Sequence, residues 1–245
     1  MGDNSEELRN EYRMRFARTE QYRNDIWRIL CEEYFRNFVS PEAYVLDLGS
    51  GWGEFINNIE AAKKYAMDLN PDAGQRLSGD TYFLHQDCSQ EWRIQQDSLD
   101  VVFTSNFLEH LPDKEHVERT IAEAYRCLKY DGLIICLGPN IKYIPGAYWD
   151  FWDHFVPLTE LSLSEVLKLK GFSIQLSKPR FLPYSMSKGR NFMMFNYPAW
   201  EPPGDFTAKE RIMRSFTPFL HLPAHRLFTA ITLRKTGRNC FEKPM

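Results

Sequence analysis

Apolar positions change their period along the chain, and the changes mark out elements. Across residues 6–39, Tyr22, Ile26, Trp27, Leu30, Tyr34 and Phe38 recur at three- and four-residue steps, which places them on one face of a helix. Ser40-Pro41 ends that helix, because a proline disfavours helical backbone in the residue before it. From Tyr44 onward, short apolar runs of strand length alternate with helical stretches. The strand candidates are "YVLDLG", "KKYAMDL", "TYFLHQ", "LDVVFTSN", "LIICLG", "FSIQLSK" and "RLFTAITLRK". Between them, "WGEFINNIEAA" reads as a helix and Asn70-Pro71-Asp72 opens a short one. "PDKEHVERTIAEAYRCL" reads as a helix with Pro112 in its first turn, and Asp131-Gly132 turns the chain into the fifth strand. "SLSE" at 162–165 has the form of a capping box for a helix that Gly171 closes.

Strands that alternate with helices imply parallel βαβ units joined by right-handed crossovers. The expected fold is α/β: a Rossmann-like, doubly wound, mostly parallel seven-stranded sheet. Residues 1–40 form an N-terminal helical segment and residues 41–245 one domain. Within that domain, 181–224 is an insertion or lid before the last strand, broken by Pro183, Pro198, Pro202, Pro203, Pro218 and Pro223, with a helix near 207–216.

Composition narrows the function classes. The 245 residues carry a net charge of −3, which argues against a general affinity for nucleic acid. The five cysteines form no CxxC pair, so neither a disulfide framework nor a metal site is indicated, and a reducing cytoplasm fits. No run of 18 apolar residues is present, so no transmembrane segment is expected, and the start "MGDNSEELRN" lacks the apolar core of a secretory signal. Basic residues among the bulky apolar ones of 181–224 leave peripheral membrane contact open beside a plain lid and an oligomer contact.

The chemistry centres on "VLDLGSGWGEF", residues 45–55. A strand, alternating glycines and a helix start make a cradle for a polar ligand at the carboxyl edge of a sheet. A dinucleotide turn reads G-x-G-x-x-G. Counted from Gly49, its last glycine falls on Glu54, and an acid, Asp47, opens the turn. A carboxylate there is awkward for a pyrophosphate and suits an ammonium group.

On these residues the chain resembles the class I S-adenosylmethionine-dependent methyltransferases. "DLGSGWG" looks like their first motif, "LDVVFTSNFLEHL" like the fourth-strand motif, and "LKYDGLIICLGPN" like the fifth, with Tyr130-Asp131-Gly132 in place of the usual Pro-Gly-Gly. The resemblance implies S-adenosyl-L-methionine as cofactor. It implies a methionine-side cradle of Asp47, Gly49, Ser50, Gly51, Trp52 and Gly53. Asp68 with Leu69 would serve the ribose, Asp87 with the Cys88 N–H the adenine, and Asn106 the methionine side.

The acceptor side lies beyond the fourth and fifth strands. A hydroxyl acceptor needs a base, and His154 in "GAYWDFWDHFVPLT" is the candidate, with Asp153 beside it and His110 in "NFLEHL" as the second imidazole. His110 also reads as a residue that pins the turn before a helix. The tail "DHFVPLTELSLSEVLKLKGF" with "PRFLPYS" resembles methyltransferases found among surface-polysaccharide and glycolipid functions. That implies a small polar acceptor, a sugar hydroxyl or a lipid-linked sugar. Two other readings compete: a non-catalytic cofactor-binding partner or sensor, and an NAD-dependent oxidoreductase. Calorimetry with S-adenosylhomocysteine and NAD separates the last.

Overall fold

The computed structural model describes residues 20–144, 146–181 and 228–235. The first nineteen residues and most of the 181–224 insertion, including its expected helix, lie outside them.

Strands β1 (Tyr44–Leu48), β2 (Lys63–Asp68), β3 (Thr81–His85), β4 (Leu99–Ser105), β5 (Leu128–Pro139), β6 (Phe172–Lys178) and β7 (Phe228–Lys235) form one sheet in the order β3-β2-β1-β4-β5-β7-β6. The first five pair in parallel and β7 runs antiparallel between β5 and β6. The order reverses between β1 and β4, so a crevice opens at their carboxyl ends, where open α/β sheets bind ligands.

Alternation along the strands builds two cores. Val45, Ala66, Val101 and Phe103 face helices α1 (Glu20–Glu33) and α2 (Glu54–Asn58), while Leu46, Leu48, Met67 and Val102 face α3 (Lys114–Cys127) and α4 (Glu160–Leu169). The first core is aromatic. Phe55 stacks on Phe103 at 3.6 Å between centroids, and Phe35 and Trp27 meet Phe103 edge-on.

Several local expectations are corrected. The first helix ends at Glu33 and continues as a 3₁₀ turn, Phe35–Asn37, because the Asn37 amide donates to the Tyr34 carbonyl (2.9 Å) and ends the ladder there. The helix expected over 52–62 spans only Glu54–Asn58: Ala62 N donates to the Ala43 carbonyl (3.0 Å) and draws the chain into β2. Pro112 precedes the N-cap of α3, Asp113, instead of lying inside the helix. The capping box is Thr159 with Ser162, one turn before the expected one, while Gly171 closes α4 at φ +99° as expected. Asp131-Gly132 does not interrupt β5. Asp131 takes φ +62° and the strand continues past a register shift against β4.

Candidate active site

The glycine turn leaves β1 along the end of β2. Gly49 N and Ser50 N both donate to the Met67 carbonyl (2.9 and 3.1 Å), and Gly51 N donates to Asp68 Oδ2 (2.8 Å). Asn70 N donates to Asp68 Oδ1 (2.7 Å), so Asp68 ties the turn to the β2 exit. Gly49, Gly51 and Gly53 all have positive φ, and Gly53 is the N-cap of α2. Trp52 is buried beneath Arg76, whose guanidinium lies 3.9 Å from the ring centroid. Its side chain packs, which leaves its backbone to line the turn.

Three carboxylates converge here. Burial holds Asp47 well above the usual carboxylate range, and the charges of Glu54 and Asp68 push it further, against one backbone hydrogen bond from Ile56. Burial also raises Glu54, which Arg23 opposes through an ion pair that is almost enclosed. Arg23 therefore pairs inside the structure and not at its surface. Burial raises Asp68 as well, against hydrogen bonds from Asn70 and Gly51.

Farther along the edge, Leu69 is exposed, and its carbonyl meets His85 Nε2 at 2.9 Å. Asp87 follows β3 and accepts from both the N–H and the hydroxyl of Ser89 (2.8 Å each). Cys88 is buried below it, its thiol 3.3 Å from Thr120 Oγ1 and pushed up to about 12 by burial, so the side chain is inert. Asn106 ends β4 in left-handed backbone (φ +51°), exposed, with its N–H on the Leu137 carbonyl (3.1 Å).

The acceptor-side residues come together. His110 closes a 3₁₀ turn, Leu108–His110, and its Nδ1 meets the Asp153 carbonyl at 2.9 Å and the Asp153 carboxylate at 3.2 Å. His154 is buried, with its ring centroid 4.8 Å from that of His110, between Tyr148 (4.7 Å) and Phe151 (5.0 Å). The loop is fixed from both sides. Phe155 N and Val156 N donate to the Glu109 carbonyl (2.8 and 3.1 Å), and Tyr148 OH donates to the Val156 carbonyl (2.6 Å). Asn140 and Lys142 both bind the buried Glu160 at the head of α4.

Glu109 is the residue that the sequence reading missed. It is buried, and burial pushes its carboxyl up to about 7 although the neighbouring His110 pulls it down. Its only sequence signal is an acid placed inside the apolar run "NFLEHL". Burial would depress His110, but the Asp153 hydrogen bond and the Glu109 charge outweigh it and hold the imidazole above its ordinary value.

A family model described as a methyltransferase domain matches residues 17–176. The chain belongs to this family, the S-adenosylmethionine-dependent methyltransferases of class I. Solved structures agree on the fold. An S-adenosylmethionine-dependent methyltransferase from Archaeoglobus fulgidus is 21% identical, with 90% of this chain and 99% of that one covered at a TM-score of 0.61. One from Thermotoga maritima is 16% identical, with coverage of 92% and 99% and a TM-score of 0.62. A complex of a Haloferax volcanii methyltransferase with the activator Trm112 matches at 16% identity, 91% and 95% coverage and a TM-score of 0.61. No curated protein sequence matches.

The cofactor of this methyltransferase is S-adenosylmethionine, and the turn fits it. An acid that opens the turn suits a ligand with an ammonium group, and the family match removes the NAD reading. Ser50 Oγ is buried with no hydrogen-bond partner among the described residues, as expected of a group that completes its bonding with a ligand. No helix among the described residues is long and apolar enough to cross a membrane.

Proposed function

We propose that this methyltransferase methylates a hydroxyl of a small polar acceptor, with a sugar as the leading class. The observation that carries the reading is the meeting of His110, Asp153 and His154 at the carboxyl ends of β4 and β5. Phe107 connects the two halves. It packs on Gly49 of the cofactor turn and stands just before the 3₁₀ turn that carries His110.

S-adenosylmethionine supplies a methyl group on a positive sulfur that departs as a neutral thioether. The chain's own residues act on the acceptor. His154 accepts the hydroxyl proton, and the freed oxygen lone pair forms the new C–O bond. His110 is held in one orientation by Asp153, and the Asp153 and Glu109 carboxylates offset the positive charge that develops on the imidazole pair. A neutral amine would need no such assembly, so buried imidazoles favour an oxygen acceptor. Trp149, Trp152 and Phe155 are exposed around the same loop and offer flat apolar faces of the kind on which sugar rings stack.

The test is turnover with a panel of sugar and phenolic hydroxyl acceptors, read as S-adenosylhomocysteine released. His154→Gln should lower kcat about 10²–10⁴-fold while calorimetry shows unchanged S-adenosylhomocysteine binding. Undiminished turnover in that variant would remove His154 as the base. Cofactor binding with no turnover on any acceptor would favour the non-catalytic binding module.

A further inference from the structure

We infer that Glu109, His110 and His154 form a divalent transition-metal site. One donor atom from each of these residues lies within 4.8 Å of the others. Three donors about 2.1 Å from one ion stand about 3.4 Å apart in a tetrahedral site, so binding requires a contraction of about 1.4 Å at most. Side chains on a 3₁₀ turn and a loop can supply that without moving the sheet.

The second observation is how His110 is held. Its Nδ1 is engaged by both the carbonyl and the carboxylate of Asp153, which leaves Nε2 to act as a lone-pair donor. A carboxylate or carbonyl behind the far nitrogen of an imidazole is the usual support of a metal-ligating histidine, since it fixes ring and tautomer and raises the basicity of the ligating nitrogen. The backbone supplies further pre-organisation. The Phe155 and Val156 N–H groups bond to the Glu109 carbonyl, which ties the stretch carrying His154 to the residue that supplies the carboxylate.

The ligand set selects the ion. Two imidazoles and one carboxylate suit Zn²⁺, Co²⁺, Mn²⁺ or Fe²⁺, whereas Mg²⁺ and Ca²⁺ prefer oxygen alone. Three protein ligands also leave coordination positions open, as catalytic sites do. The role of such an ion rests on the hydroxyl-acceptor reading above: it would bind the acceptor oxygen and make its proton easier to lose. With an ion bound, His154 would be a ligand in place of the base proposed above, and the proton of the ion-bound hydroxyl would leave to water. The sequence showed no metal site because its cysteines carry no spacing signal, and the adjacent Glu109 and His110 lie more than forty residues from His154.

Binding is measured without any methyl acceptor, so the result stands apart from the methyl-transfer reading. The full chain is stripped with a chelator, and Co²⁺ is titrated by its visible d–d absorption, with Zn²⁺ and Mn²⁺ followed by calorimetry. The expected result is one ion per chain, with affinity at least tenfold weaker in Glu109→Gln and in His154→Gln and unchanged in His116→Gln. Retained S-adenosylhomocysteine binding certifies that each variant is folded. No stoichiometric binding of any of the three ions to the unaltered chain would overturn the proposal, and so would binding that both ligand variants leave unchanged. The first outcome needs no variant and is decisive even if a substitution unfolds the chain.

Discussion

Phe107 lies on the bare face of Gly49: a Cβ placed on Gly49 would stand 2.2 Å from Cγ and Cδ2 of the ring. Gly49 belongs to the cofactor turn, and Phe107 is followed by the turn that carries Glu109 and His110. The contact sets the spacing between the glycine turn and the proposed acceptor site.

Gly49→Ala should therefore disturb both halves. The left-handed backbone (φ +70°) costs an alanine about 1–2 kcal/mol, and displacing the ring adds an overpacking cost of roughly 1–3 kcal/mol. A Tm lowered by roughly 5–15 °C is expected, with S-adenosylhomocysteine binding severely weakened. Phe107→Gly in the same chain removes the ring and the Cβ that would stand 2.8 Å away; it should relieve the overpacking but not the backbone strain, so the double variant should melt above the sum of the two single losses. A double variant that melts with Phe107→Gly alone would mean that the backbone carries no strain.

Asp47 predicts a conflict between stability and binding. Its folded-state pKa lies above its unfolded value, so the folded chain holds a proton that the unfolded chain releases. Its contribution to stability is greatest below the unfolded value, about 3.9, and falls as pH rises from there through the folded value. Asp47→Asn removes that fall. The ligand-free variant should melt above the unaltered chain at neutral pH, with the gap closing near pH ~4, while calorimetry shows S-adenosylhomocysteine binding at least tenfold weaker (roughly 1.4 kcal/mol). A melting difference independent of pH would mean that ionisation of Asp47 is not its cause.

What could be read in advance follows contact range. The glycine turn and Asp68 were legible because strand, turn and strand end repeat a local pattern, and the Gly51–Asp68 hydrogen bond joins neighbouring parallel strands. The pairing of Asp153 with His110 was not, since forty-odd residues and all of β5 separate them. Both imidazoles were identified singly, and Asp153 was set beside its sequence neighbour His154. Glu109 was invisible because its burial is imposed by the chain around Phe155, which folds over it. Short-range errors had short-range causes. "TELS" and "SLSE" overlap, and both satisfy capping chemistry, so pattern alone could not choose between Thr159 and Ser162 as the cap. Ala61 and Ala62 prolong the helical look of "EFINNIEAA", but Ala43 claims the Ala62 N–H for the sheet.

Arg23 and Glu54 predict a non-additive pair. Arg23→Met leaves a buried carboxylate without its partner, a change that typically costs about 3–5 kcal/mol. Adding Glu54→Gln removes the orphaned charge and should restore most of that loss. Chemical denaturation of the two single variants and the double gives the coupling directly. Additive losses would show that the pair contributes nothing as a pair.

Asp153→Asn tests whether His110 is positioned or merely present. An asparagine keeps the shape and can still accept at one oxygen, and the backbone carbonyl of residue 153 still meets Nδ1. The lost charge reduces the hold on the imidazole and its basicity. Removal of such a supporting carboxylate typically lowers activity or ion affinity about 10–100-fold. The fall should appear in kcat with the KM for S-adenosylmethionine unchanged, because Asp153 holds His110 on the acceptor side. Asp153→Glu, which restores the charge on a longer arm, should recover part of the rate. A purely structural role makes different predictions: both variants would lose thermal stability in proportion to activity, and Asp153→Glu would do no better than Asp153→Asn. Steady-state kinetics beside a melting curve for each variant separates the two, since only positioning lets the rate fall while Tm holds.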